Sequence, residues 1–475
     1  MQADQNFRNM FREYDIRGRV NDEELNEDSI SLIAKAFGTF LRRHYPTNNT
    51  VVIGYDNRSY SPRFSDVVAQ AMVRCGFHVI DVGLSLSPVV YFAQYHCKSP
   101  AAIMITASHN PDGWCGFKLA QGLSKTLGPE EINELYAIVE KNDFVKTTAG
   151  RIEKVDVRDD YIDAVVKRID VDASSAPRVV IDAGNGGAGV FAWEVFYRLG
   201  CPTFQLNCDP DTSYPHYFPN PSDLHARERL AEMVTHPYIH ADVGIGLDGD
   251  GDRIGLVDQN GQNVWSDRLL MILARQLLEK KPGAKIVFDV KCTQALPEVI
   301  TEYGGEPIMW KTGHSHVKAK MHEVNADLAG ERSGHIFVGG NDYYGFDDAI
   351  FAAAKLVEYL SHVKQPITEI LNSFPQYITS PEIKAHCPDQ TKYEVVDRLV
   401  ADFKGEYGSR VNDINGARVL FDQGWGLVRA SSNLPELVLI FEGKTEDDML
   451  NIRDIFKAKL DTYKEIDPHW ENDVR

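Results

Sequence analysis

The chain has 475 residues, 43% apolar and 25% charged, which is too long for one core and ordinary for a protein built of several globular domains. Fifty basic against 69 acidic residues leave a net charge of −19, which argues against a nucleic-acid or anionic-membrane partner. Residues 1–20 lack a secretion signal's apolar core, and no apolar run reaches a membrane span. The seven scattered cysteines form no C-x-x-C pair, so a cytoplasmic protein is expected.

A helix is predicted first, with Ile30, Ile33, Ala34, Phe37 and Leu41 on one face and Asp28 or Ser29 as its cap. A repeat then organises most of the chain. An apolar strand at 51–56, a helix and a second strand at 75–80 return at 179–184 with 199–204, and again at 286–291 with 303–308. Each copy is strand, helix, glycine turn, strand, the grammar of a βαβ unit in a largely parallel sheet. Another helix opens at Pro129. Beyond about residue 374 the pattern changes to separated strands at 416–421 and 437–441 and a helix near 446–463.

The fold class expected is therefore α/β: three related α/β domains with mixed, largely parallel sheets, plus a smaller C-terminal α+β domain. The boundaries are placed at 1–154, 155–262, 263–374 and 375–475, with linkers near 150–156, 258–264 and 372–380.

Four loops carry chemistry. Residues 101–105 form a buried strand, and Thr106–Pro111 is the loop at its end, where α/β proteins place ligands. Ser108 lies between Ala107 and His109, without the glycines of a hydrolase elbow. Alone, this loop reads equally as a surface turn. Lys118 follows near the same strand end.

The second loop sets Asp248, Asp250 and Asp252 at alternate positions after an apolar strand, separated by glycines. Three hard carboxylates on one side of a turn suit magnesium or calcium, whereas without a metal they would crowd like charges. An EF-hand is excluded, because Arg253 and Gln259 stand where its glycine and glutamate belong. A phosphorylated Ser108 would supply a fourth ligand oxygen, with Arg253 steadying the other phosphate oxygens.

In the third loop Glu331 and Ser333 face one way if the segment is extended, a pair suited to neighbouring sugar hydroxyls; Trp310–His314 lies upstream. In the fourth, Arg429, Ser431, Ser432 and Asn433 suit an anion pocket, although an ordinary turn would look the same.

Together with Phe11–Gly18, these loops resemble the α-D-phosphohexomutases, most closely the bacterial phosphomannomutase/phosphoglucomutase group, from Phe11 to about Glu442. The resemblance implies four domains around a central cleft that holds the active site. It implies reversible phosphoryl transfer between O1 and O6 of glucose and mannose phosphates. Ser108 would be the phosphoserine, and Ser108, Asp248, Asp250 and Asp252 would hold one Mg2+ per chain. Glucose 1,6-bisphosphate would be intermediate and activator.

Lys118 would transfer protons, its pKa lowered by Arg17, while Arg17, His109, Arg253 and Tyr14 attend the reacting phosphate. His314 would be catalytic and, with Lys291, Gly313, Glu331 and Ser333, would contact the sugar. Arg429, Ser431, Ser432 and Asn433 would clamp the distal phosphate. A monomer or homodimer is expected.

Two departures stand out: Ser432-Asn433 where the group usually has Asn-Thr, and Arg332 where methionine is common. The alternatives are phosphoglucosamine mutase, a serine-dependent sugar phosphohydrolase and a non-catalytic sugar-phosphate sensor.

Overall fold

The three repeated patterns fold as three βαβ units, each with its two strands in parallel register. The computed structural model describes residues 5–145, 147, 150–221, 223–432 and 434–474. These fall into two compact units, residues 1–269 with 333–369, and residues 270–332 with 370–475.

The first unit begins with a six-stranded mixed sheet: β1 (Ile16–Arg19), β2 (Thr50–Tyr55), β3 (His78–Leu84), β4 (Ala101–Ile105), β5 (Trp114–Gln121) and β6 (Arg151–Lys154). Their spatial order is β1-β5-β4-β2-β3-β6. β2 runs parallel to β3 and β4, whereas β5 returns antiparallel to β4 and places Lys118 opposite Met104.

The helix Glu27–His44 packs Ile30, Ile33, Ala34, Phe37 and Leu41 into this core, as its periodicity predicts. Its cap is Asn26, not Asp28 or Ser29. The Asn26 side chain accepts from the Ser29 N–H at 3.1 Å, and the Ser29 hydroxyl accepts from the Asn26 N–H at 2.9 Å. Ser29 is thus the reciprocal third residue of a capping box.

Within the stretch 150–156, residues 151–154 form β6, parallel to β3. All four β6 residues are exposed, so this edge strand lacks the alternation that marks a strand with a buried face.

A second sheet in the same unit contains β7 (Val179–Asp182), β8 (Thr203–Leu206), β9 (Val243–Leu247), β10 (Ile254–Asp258) and β11 (Asn263–Val264). Its order is β11-β10-β9-β7-β8. β9 and β10 pair antiparallel through Leu247↔Ile254, so residues 248–253 are the turn of a hairpin. Residues 258–264 close a hairpin into β11.

In the second unit, β12 (Lys285–Asp289) lies between and parallel to β13 (Glu306–Trp310) and β14 (Leu328–Gly330). β15 (Ile336–Val338) belongs to the first unit.

The C-terminal part is an antiparallel sheet of β16 (Ile378–Thr379), β17 (Ile383–His386), β18 (Val411–Asn412), β19 (Ala417–Phe421), β20 (Gly424–Ala430), β21 (Glu436–Gly443) and β22 (Trp470–Glu471). The helices Lys392–Tyr407 and Glu446–Leu460 cover it, with Leu399, Phe403 and Phe456 in the core. Buried Trp425 packs on Val290, Leu427 and Ile440, and donates to Glu442 Oε1 at 2.7 Å.

Asp348 caps the helix Ala349–Val363, accepting from Phe351 N–H at 2.9 Å and from the hydroxyls of Tyr161 and Tyr343 at 3.0 and 2.8 Å. Burial pushes its pKa up to about 6, from 3.8. Between these values the folded chain holds a proton that the unfolded chain has lost, so stability falls as pH rises through this window. Asp348→Asn is expected to flatten that decline in denaturant unfolding curves measured from pH 4 to 6.5. Identical slopes in the two proteins would contradict it.

Candidate active site

In the first unit, β4 delivers the loop Thr106–Pro111, and the β9–β10 turn delivers Asp248, Asp250 and Asp252. The two loops touch. Ser108 Oγ donates to Asp248 Oδ2 at 2.6 Å, and a Cβ at Gly249 would stand 2.7 Å from the Ser108 carbonyl oxygen. Position 249 must therefore be glycine for the loops to meet. Ser108 itself has a left-handed backbone, with φ +51°. Its N–H donates to Thr106 Oγ1 at 2.7 Å, and its hydroxyl lies 3.1 Å from His109 Nδ1.

The three aspartates have no solvent exposure, and one carboxylate oxygen from each lies within 4.8 Å of the others. Asp248 Oδ1 accepts from the N–H groups of Asp252 and Arg253 at 3.1 and 3.2 Å. Asp250 Oδ2 accepts from Ser87 Oγ and Lys118 Nζ, both at 2.6 Å, and Lys118 also pairs with Asp252.

Burial pushes the Asp248 carboxyl well up, and the Asp250 and Asp252 charges add to this. Burial also opposes the charge on Asp250, but Lys118 outweighs it and holds that carboxyl well below the usual range.

Lys118 corrects the expectation of a lowered pKa. Burial does pull it down, yet the Asp250 and Asp252 carboxylates prevail and hold it well above the usual lysine value. Arg17 is engaged elsewhere, donating to Asn110 Oδ1 at 2.6 Å and pairing with Asp15 at 2.9 Å. His109 is pushed well below the usual imidazole range by desolvation, then by Arg253 and Arg17, so it is neutral. Tyr14 is half-buried in the loop before β1.

Arg253 Nε donates to His335 Nε2 at 3.0 Å, and His335 Nδ1 lies 3.1 Å from Asp347 Oδ2 and 3.8 Å from Asp252 Oδ1.

The second unit carries the remaining predicted residues except Ser333. Glu331 Oε1 accepts from Gly313 N–H at 2.6 Å, where Gly313 takes φ +122° at the head of the helix His314–Val324. His314 is buried in that first turn. Lys291 Nζ pairs with Glu382 at 3.2 Å. Arg429 Nε donates to Asn415 Oδ1 at 3.0 Å and Nη2 to Ser432 Oγ at 3.4 Å, while Ser431 Oγ accepts from Leu434 N–H at 3.2 Å. Asn433 lies outside the described residues.

The segment after β14 is a turn at Arg332 and Ser333, not an extended run. Glu331 belongs to the second unit, and half-buried Ser333 to the first. Arg332 is buried and donates to Ser380 O at 3.1 Å, so its side chain serves the fold of its own unit.

Family models match the chain in four consecutive stretches. Phosphoglucomutase/phosphomannomutase α/β/α domain I matches residues 8–146, domain II 159–261, domain III 265–377, and the C-terminal domain 382–459. Over 453 residues the chain is 39% identical to the phosphomannomutase/phosphoglucomutase of Pseudomonas aeruginosa, covering 95% of each. The chain belongs to the phosphoglucomutase/phosphomannomutase family.

It is also 37% identical to the phosphoglucomutase of Neisseria meningitidis, covering 96% of this chain and 97% of that one. A crystal structure of a phosphoglucomutase/phosphomannomutase family protein from Burkholderia thailandensis matches with TM-score 0.88 at 35% identity, covering 96% and 97%. Among the described residues no helix is long and apolar enough to cross a membrane.

In this family member the sequence reading assigned no role to Ser87, His335, Asp347, Glu382 or Asn415. His335 alone had a signal, at the end of the glycine-flanked Glu331–His335 loop. The others come from distant elements whose chemistry no local pattern marks.

The aspartate cluster fits a divalent cation. Its donors are hard oxygens, and among the described residues the buried Asp250 Oδ1 and Asp252 Oδ1 meet no hydrogen-bond partner. Lys118 and such a cation draw on the same carboxylates. Replacing Lys118 by methionine is therefore expected to lower the melting temperature without metal. Added Mn2+ should then raise it by more than in the unaltered protein. An equal Mn2+ shift in both proteins would contradict that sharing.

Proposed function

We propose that this chain is a phosphohexomutase that interconverts the 1-phosphates and 6-phosphates of glucose and mannose through a phosphoserine at position 108. The reading rests on one observation above the rest: the Ser108 hydroxyl is presented from a left-handed backbone, 2.6 Å from a buried carboxylate of a cation-binding cluster. Family membership supports it, and so does the cationic surround of Arg17, Arg253 and Lys118.

In this reading phosphoserine 108 gives its phosphoryl group to the free hydroxyl of a hexose phosphate. The sugar becomes a 1,6-bisphosphate, turns end for end, and returns its other phosphate to Ser108. Mg2+, held by Asp248, Asp250, Asp252 and a phosphate oxygen on Ser108, would neutralise charge on the reacting phosphate.

The protein's own part is positioning and charge balance. Neutral His109 orients toward Ser108, Arg253 is itself steadied by His335, and Lys118 is assigned to proton transfer from the attacking sugar hydroxyl to the leaving Ser108 oxygen. Arg17 and Tyr14 are assigned to the same phosphate. Lys291, Gly313, His314, Glu331 and Ser333 are assigned to the sugar, and Arg429, Ser431, Ser432 and Asn433 to the distal phosphate.

We further assign domain boundaries at 154, 262 and 374, glucose 1,6-bisphosphate as activator, a monomer or homodimer, and a cytoplasmic location. Glucose and mannose differ only at C2; a grip by Glu331 and Ser333 on O3 and O4 would leave that position unread, so both epimers are substrates in this reading.

Ser108→Ala is expected to lower isomerisation of glucose 1-phosphate and mannose 1-phosphate, assayed with bisphosphate primer, by about 1,000-fold or more. Retained isomerisation would contradict the phosphoserine. Stoichiometric release of inorganic phosphate by the unaltered protein would contradict the mutase.

A further inference from the structure

We propose that Asp56 and Arg58 act as a positioning clamp that sets Ser108 for phosphoryl transfer, an inference that rests on Ser108 being the nucleophile. Both side chains are buried at the end of β2, each 1% exposed. The Arg58 guanidinium donates to three carbonyl oxygens of the serine loop, at 3.1 Å to Ser108, 2.5 Å to Asn110 and 3.0 Å to Pro111. Asp56 Oδ2 accepts from the Ala107 N–H at 3.1 Å and from Arg58 Nε at 3.3 Å. Asp56 Oδ1 is held by the Ser61 hydroxyl at 2.5 Å. Backbone groups on both sides of Ser108 thus end on one ion pair.

This explains how a non-glycine residue keeps φ +51°, a conformation that costs about 1–3 kcal/mol unless its surroundings over-determine it. Only arginine suits the task, since its planar fork reaches three acceptors, whereas a lysine ammonium is one point charge. The residue between the two ties the clamp to the sheet that carries the aspartates. Asn57 donates to Asn185 O at 2.9 Å and accepts from the Tyr214 hydroxyl at 3.0 Å. One turn of chain therefore fixes the serine loop and meets the neighbouring sheet's loops.

An ion pair serving stability alone would show in melting temperature and not in turnover. Arg58→Lys, Arg58→Met, Tyr214→Phe and Ser108→Ala should be compared by melting temperature and by steady-state kinetics on glucose 1-phosphate with glucose 1,6-bisphosphate. Arg58→Lys keeps the charge beside Asp56 but loses the fork, so kcat should fall by about 100-fold, as expected for a misplaced reacting group. KM should stay within about threefold, because substrate binding is not what the clamp serves. Arg58→Met should lose at least as much.

A folded Arg58→Lys protein with native kcat overturns the clamp. Should neither Arg58 variant fold, Tyr214→Phe decides: a lower kcat at unchanged KM and melting temperature supports the clamp, and native kcat overturns it. Native turnover by Ser108→Ala would instead overturn the nucleophile reading, whatever the Arg58 variants do.

Discussion

Three carboxylates buried in one hairpin turn are the constraint around which the first unit is organised. At 4.8 Å, and with an effective dielectric near 20, each pair of like charges repels by roughly 3.5 kcal/mol. Burial adds a desolvation cost of several kcal/mol per ion. Such a cluster persists only if the protein meets it with donors and cations, and the donors found include Lys118 and Ser108, two side chains assigned to the reaction. Lys118 and Ser87 serve Asp250, Lys118 reaches Asp252, and Asp248 is met by two backbone N–H groups and the Ser108 hydroxyl. The asymmetry of the carboxyls follows from this: the one facing the lysine is held well below the usual range, and the one facing the serine is pushed well above it.

The fold makes that meeting possible by an ordinary device. Parallel strands end in loops on one side, so β4 presents the serine at its carboxyl end. The aspartate turn arises differently, because β10 folds back on β9 and converts a strand end into a tight hairpin. Lys118 arrives by a third route, on β5, which returns antiparallel beside β4. Positions 108, 118 and 248–252 therefore converge although they come from three kinds of connection.

Much of this was legible in the sequence, and the parts that were not share physical causes. The three βαβ units repeat an apolar strand, a periodic helix and a glycine turn, so local patterning suffices for them. The alternating aspartates announce their own chemistry because no other arrangement tolerates that crowding. β6 escaped because an exposed edge strand carries no buried face. Asn26 escaped because the cap competed with two equally good polar neighbours.

The Lys118 environment was misjudged because its partners, Asp250 and Asp252, lie more than a hundred residues away, and only the fold shows that carboxylates rather than Arg17 face it. Arg332 stood out only as a departure from the group's usual methionine, and its buried side chain donates to Ser380 O. The left-handed backbone of Ser108 has no sequence signature at all, since serine is not the residue that usually adopts it.

The central claim is that a phosphoryl group on Ser108 sits beside a cation held by Asp248, Asp250 and Asp252. Electron–nuclear double resonance on the Mn2+-loaded, phosphorylated protein tests it most directly. A phosphorus-31 coupling of contact strength, lost on dephosphorylation and in Ser108→Ala, is the predicted result. Tightly bound Mn2+ showing no phosphorus coupling in the phosphorylated protein would contradict it.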